Sequence, residues 1–198
     1  MAAPASIGPN AVHVVIDMQR VFAEPGHWHV PNIPAILPNI VALAKAMPGR
    51  TLFTRFVVPE RPGDASGQWR RYYEHWSEFT GAALEAGKLD LVKDLAVLAG
   101  PAVIIDKLTY SAFEAPMFAA RLEALQADTL IFSGVETDVC VLATLLTAVD
   151  LGFRVVAVED AMTSSSQPGH EATLRHVLAR LPLQVEIAAT ASVIEALG

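Results

Sequence analysis

Three residues of unlike chemistry stand at the ends of three apolar runs. Asp17 closes Val12-His13-Val14-Val15-Ile16, and Lys107 closes Ala102-Val103-Ile104-Ile105-Asp106. Cys140 lies a few residues beyond Thr129-Leu130-Ile131-Phe132. An acid, a lysine and a thiol can together run a hydrolysis. Asp17 takes the thiol proton, the Cys140 sulfur attacks a carbonyl carbon, and Lys107 holds the acid and the thiolate in place by charge. Backbone N–H groups near Glu136 and Cys140 hold the oxygen as it turns negative. No histidine stands at a comparable strand exit, so the acid and the lysine must do a histidine's work. The reaction calls for no metal and no organic cofactor.

The setting of Cys140 fits that chemistry. Gly134 punctuates the end of the apolar run, and residues 139–151 then read as an apolar helix stopped by Gly152. Thr137 and Asp138 are both suited to cap its start. The first-turn N–H groups of a helix are unpaired and its dipole favours negative charge there, which lowers the pKa of a thiol. Taken alone, the position suits a small buried residue in an apolar helix equally well.

The elements that must position these residues are legible as a repeating pattern. Apolar, β-branched runs at 12–17, 51–56, 102–107, 129–132, 154–160 and 184–187 read as buried strands. Helical spacing marks 34–47, 116–126, 139–151, 171–181 and 192–197, with a shorter helix at 90–98 and a polar loop at 161–169. Strand and helix alternate throughout, the pattern of an α/β protein: a parallel sheet with right-handed crossovers and helices on both faces. All strand exits of such a sheet lie on one edge, where open α/β proteins place their chemistry. Asp17, Lys107 and Cys140 therefore converge by topology alone.

The remaining candidates are polar or aromatic residues on irregular segments. His13 sits inside a strand and reads as a packed histidine. His27 and His29 form a His-x-His pair, but no third ligand stands at close spacing, so no metal is expected. Residues 68–76 are dense in aromatics and serve either as a lid over a pocket or as the cover of a neighbouring subunit. Trp28, Arg55, Trp69, Arg70, Tyr72, Trp76 and Tyr110 are the candidate substrate-binding residues. An arginine among them would favour a carboxylate-bearing substrate.

Composition narrows the class. The chain has 198 residues, enough for one domain spanning 1–198 with a substantial core. It is 53% hydrophobic and 18% charged, which excludes disorder. A net charge of -7, with no basic cluster beyond Arg70-Arg71, argues against nucleic acid. A single cysteine excludes an internal disulfide framework and fits a reducing, cytoplasmic setting. No stretch approaches a membrane span, and residues 1–10 do not read as a signal peptide.

Three segments together resemble the isochorismatase-like family of cysteine hydrolases, which includes nicotinamidases, N-carbamoylsarcosine amidases and related ureido-amide hydrolases. They are Val14-Val15-Ile16-Asp17-Met18-Gln19, then Asp106-Lys107 with Tyr110-Ser111-Ala112-Phe113, and Gly134-Val135-Glu136-Thr137-Asp138-Val139-Cys140-Val141. They occur in the family's order along nearly the whole chain. The resemblance implies a three-layer α/β/α sandwich around a six-stranded parallel sheet, in homodimers or homotetramers. It implies Asp17, Lys107 and Cys140 as the triad. It also implies a cis peptide before Glu136 that turns its N–H toward the oxyanion. Nicotinamidases carry an Asp-and-His metal site after the second strand; here Thr54-Arg55-Phe56-Val57-Val58 offers no such ligands.

The expected activity is hydrolysis of a C–N bond in a small amide or ureido substrate through an acyl group on Cys140. A vinyl-ether hydrolase of the isochorismatase type is a competing reading, which would tolerate loss of Cys140 but not of Asp17. A non-catalytic binding protein on the same fold is another.

Overall fold

In the computed structural model, which describes residues 4–198, six strands pair in parallel in the order β3-β2-β1-β4-β5-β6. They are β1 (Ala11–Ile16), β2 (Thr51–Phe56), β3 (Ile104–Lys107), β4 (Thr129–Val135), β5 (Arg154–Thr163) and β6 (Val185–Ala188). Every residue of β1 and β4 is buried, as strands covered on both faces require. The helices are α1 (Arg20–Ala23), α2 (Ile33–Ala46), α3 (Gln68–His75), α4 (Lys93–Ala96), α5 (Pro116–Ala124), α6 (Leu142–Asp150), α7 (Gln167–Ala172) and α8 (Thr190–Ala196).

Side chains alternate along each strand, so the sheet feeds two cores. On one face Val15, Phe53, Ile131 and Val156 pack with Ile40 and Leu43 of α2 and Val193 of α8. On the other, Val14, Leu52, Leu130 and Val155 pack with Phe118 and Leu122 of α5 and Leu145 of α6. The expected three-layer α/β/α sandwich is what forms. The insertion after β2 lays its aromatic rings on the α2 face, where Trp28 stacks on Phe79 at 3.9 Å and 3°.

The element ends differ from the sequence reading where burial, not composition, decides. β4 runs to Val135 and β5 to Thr163, because after a register shift Gly134 pairs with Met162 and Val135 with Thr163. Residues 161–163 are thus buried strand, and the polar loop shrinks to 164–166. The expected helix at 171–181 starts earlier, at Gln167, where the Ser166 hydroxyl accepts the Gly169 N–H. It then loosens into a wide π turn (Thr173–Val177) and a tight 3-10 turn (Leu178–Arg180). Residues 101–103 form a 3-10 turn ahead of β3 rather than strand.

The strand order changes direction between β1 and β4. From β1 the chain winds outward through β2 to β3, and from β4 it winds the other way. A crevice opens at such a switch point, beyond the carboxyl ends of the two central strands.

Candidate active site

Asp17 leaves β1 in the left-handed region, at φ 50°, which an aspartate tolerates better than most residues. Its backbone N–H donates to Thr54 Oγ1 at 3.2 Å, and the same hydroxyl donates to Asp17 Oδ1 at 2.6 Å. Thr54, wholly buried on β2, therefore fixes both the backbone and one carboxylate oxygen. The neighbouring Gln19 is also buried; it donates to the Phe56 and Leu89 carbonyls and accepts the Phe56 N–H at 2.7 Å. These contacts stitch the exits of β1 and β2 together. A polar residue inside an apolar strand was the signal for Thr54, and the sequence reading passed over it.

Lys107 ends β3, two strands away, and crosses β2 to reach the acid. Its Nζ stands 2.7 Å from Asp17 Oδ2, 5.0 Å from the centre of the Phe56 ring, and donates to the Thr109 carbonyl at 3.1 Å. Burial alone would lower the Lys107 pKa, but Asp17 and Cys140 outweigh it and the ammonium is held above its ordinary value. Asp17 Oδ2 is buried, and the Lys107 ammonium is the charge that answers it.

Cys140 completes the group. Both Asp17 and Lys107 act on its thiol at close range. Burial and the Asp17 charge push the thiol above its usual range, and Lys107 does not win it back. This corrects the lowered pKa expected from a helix start: the thiol is buried, and the Asp17 charge outweighs that of Lys107. The helix start also differs. Residues Thr137–Val141 form a π turn before α6, with Glu136 at the cap position. Thr137 and Asp138 do not cap it. Thr137 hydrogen-bonds to His170 Nδ1 at 2.9 Å, and Asp138 accepts the Ser164 hydroxyl at 2.5 Å. The Val135-Glu136 peptide is cis, as the resemblance implies. The Cys140 carbonyl accepts the Thr144 hydroxyl at 2.8 Å, and that hydroxyl takes the Ala112 N–H, which ties α6 to the loop after Lys107.

A cavity of about 270 Å³ opens above the thiol. Of the sequence candidates, Trp28, Tyr72, Trp76 and Tyr110 line it, with Glu136 and Cys140. Phe22, His27, Phe56 and Ser165 line it as well and were not foreseen there. Three candidates lie elsewhere. Arg55 pairs with Asp106 through two hydrogen bonds of 2.7 and 2.8 Å, because the register sets Arg55 directly beside Asp106. Arg70 turns back to the Gly63 and Ala65 carbonyls. Trp69 stands behind the wall, packed against Phe56, Tyr72 and Tyr110. With both arginines outside, the carboxylate-binding role suggested for them falls away. His13 is a packed histidine: buried between Ser133 and Thr51, its pKa is lowered to about 3 by desolvation.

The second-strand exit, where nicotinamidases carry a metal, does not fit one. Phe56 and Arg55 occupy it, and among the described residues no three His, Cys, Asp or Glu side chains cluster to hold an ion. No helix among the described residues is long and apolar enough to cross a membrane.

Comparison with known proteins follows the same lines. An uncharacterised isochorismatase family protein of Bacillus subtilis (strain 168), PncA, is 37% identical over 81 residues, which cover 41% of this chain and 44% of that protein. A probable inactive nicotinamidase of Arabidopsis thaliana, At3g16190, is 28% identical over 170 residues, 83% of this chain and 86% of that one. The crystal structure of a cysteine hydrolase from Pseudomonas syringae pv. phaseolicola 1448A superposes with a TM-score of 0.81 at 27% identity, over 100% of this chain and 98% of the other. An isochorismatase domain family model matches residues 11–191. The chain belongs to the isochorismatase family and is built as a cysteine hydrolase of that family is.

Proposed function

We propose that this chain is an amidohydrolase that cleaves a C–N bond in a small amide or ureido compound, with Cys140 as nucleophile. The observation that carries the reading is a buried acid, Asp17, paired with a buried lysine at 2.7 Å, both acting on the chain's single thiol. In the resting site the proton stays on sulfur. When a carbonyl carbon reaches the thiol, Asp17 takes that proton as sulfur attacks, and Lys107 keeps its charge through the transfer. The N–H groups of Glu136 and Cys140 donate to the oxyanion. Collapse of the adduct breaks the C–N bond, and the proton on Asp17 leaves with the amine. Water then attacks the thioester, Asp17 takes its proton, and the acid product departs as the thiol re-forms.

The walls support a small, flat substrate. Aromatic rings surround the thiol, and neither arginine near the cavity enters it. One relative is named a probable inactive nicotinamidase; in this chain the acid and lysine pair at 2.7 Å and both act on the thiol. No cofactor is assigned a role, and a homodimer or homotetramer is the proposed assembly.

The test is ammonia release from a panel of small primary amides and ureido compounds, with Cys140→Ala and Asp17→Ala beside the native protein. The expected result is release by the native protein alone. Release that persists in Cys140→Ala but stops in Asp17→Ala contradicts the thiol mechanism and favours chemistry that needs only the acid.

A further inference from the structure

The charges around the cavity do not cancel. Asp17 is answered by Lys107 at 2.7 Å, and His27 on the wall by Glu78 at 2.8 Å. Glu136, half-buried on the same wall, is answered by no cation. Its Oε1 accepts the Ser165 N–H at 2.8 Å and the Ser165 hydroxyl, two neutral donors that fix the carboxylate without neutralising it. Among the described residues it forms no ion pair. Trp28, Phe56, Tyr72, Trp76 and Tyr110 line the same cavity.

An acid held by neutral donors in a cavity lined by aromatic rings is a site for a cation. The ring faces are negative and attract an ammonium within about 6 Å. A carboxylate without a counter-charge attracts a cationic ligand, and the low-dielectric rings beside it strengthen that attraction. A carboxylate-bearing amide would instead meet like charge with no arginine to hold it. We infer that Glu136 and the rings select amides whose far end is cationic, a quaternary ammonium or similar group, and reject anionic ones. The inference rests on the amidohydrolase reading and names its substrate class.

A matched set of amides tests it: betaine amide, its neutral isostere 3,3-dimethylbutanamide, and malonamate. For native protein the expected kcat/KM is highest for betaine amide, by about tenfold over the isostere, with malonamate lowest. In Glu136→Gln the betaine amide to malonamate ratio should fall by about tenfold or more. The ratio is internal to each protein, so a general loss of activity cancels. Ser165→Ala frees the carboxylate but keeps its charge, and should keep the order. A preference for malonamate, or a ratio unmoved by Glu136→Gln, overturns the inference and leaves hydrolysis standing. If native protein hydrolyses none of the three, the amidohydrolase reading fails for them, and binding decides the charge preference separately. Trp28 and Trp76 fluorescence in Cys140→Ala protein should then report tighter binding of betaine amide, lost on adding Glu136→Gln. Equal binding of the three, or none, overturns it.

Discussion

Asp17 carries Lys107 on one oxygen and Thr54 on the other, and its charge acts on the Cys140 thiol. Its removal should therefore move two observables in opposite directions. In Asp17→Asn the thiol loses the charge that, after burial, does most to raise its pKa, while Lys107 still pulls it down. Alkylation by iodoacetamide near neutral pH should quicken by about tenfold or more, since each pKa unit changes the thiolate fraction about tenfold. Hydrolysis should fall by about 10²- to 10⁴-fold, because the proton acceptor is gone. A variant that is folded by circular dichroism yet alkylates no faster contradicts the role given to Asp17. Stability should drop too, by about 3–5 kcal/mol, because the Lys107 ammonium is left buried without its partner. Urea unfolding measures that directly, and a loss under about 1 kcal/mol would mean that the pair is not the buried ion pair described.

At the scale of elements, the close approach of β1 and β4 sets the site. Gly134 has φ 109°, and a Cβ there would run into the Ile16 backbone. Gly134→Ala should cost about 3 kcal/mol or more in urea unfolding and displace the Cys140 turn from Asp17, lowering activity with it. A neutral effect on both would show that the strands can part without harm. His13, on β1, predicts an acid limb. Its pKa is lowered from 6.5 to about 3 by burial, so below about pH 6.5 the unfolded chain takes a proton that the folded chain refuses. Stability should fall on acidification across that window, by up to about 1.4 kcal/mol per pH unit, and more shallowly in His13→Gln. Equal slopes in the two proteins would exclude His13 as the source. The strand exits were legible because a doubly covered parallel strand is an unbroken apolar run, and the runs of β1, β3 and β4 end near Asp17, Lys107 and Cys140. The ends of β5 and the direction of Arg55 were not. Met162 and Thr163 are strand only because Gly134 and Val135 lie beside them, and Arg55 faces Asp106 only through the β2–β3 register. Register is a long-range property, absent from either segment read alone.

Across the whole molecule, Asp17, Lys107 and Cys140 come from the exits of three strands and are brought together because the sheet winds outward in both directions from β1 and β4. Lys107 starts at the sheet's edge and spans β2 to reach Asp17, which explains a buried lysine where the other ion pairs among the described residues are more exposed. The aromatic insertion roofs the switch point from the α2 face, so the thiol lies between the two cores: Cys140 packs with one, Trp28 and Phe56 with the other. A chain so arranged should pass its acyl group through sulfur. Intact-mass spectrometry of protein quenched in acid during turnover of an amide substrate reads this outright. The expected spectrum shows added mass equal to the acyl group, mapped to the peptide holding Cys140 and absent from Cys140→Ala. Steady turnover by Cys140→Ala, with no adduct on the native protein, would contradict it.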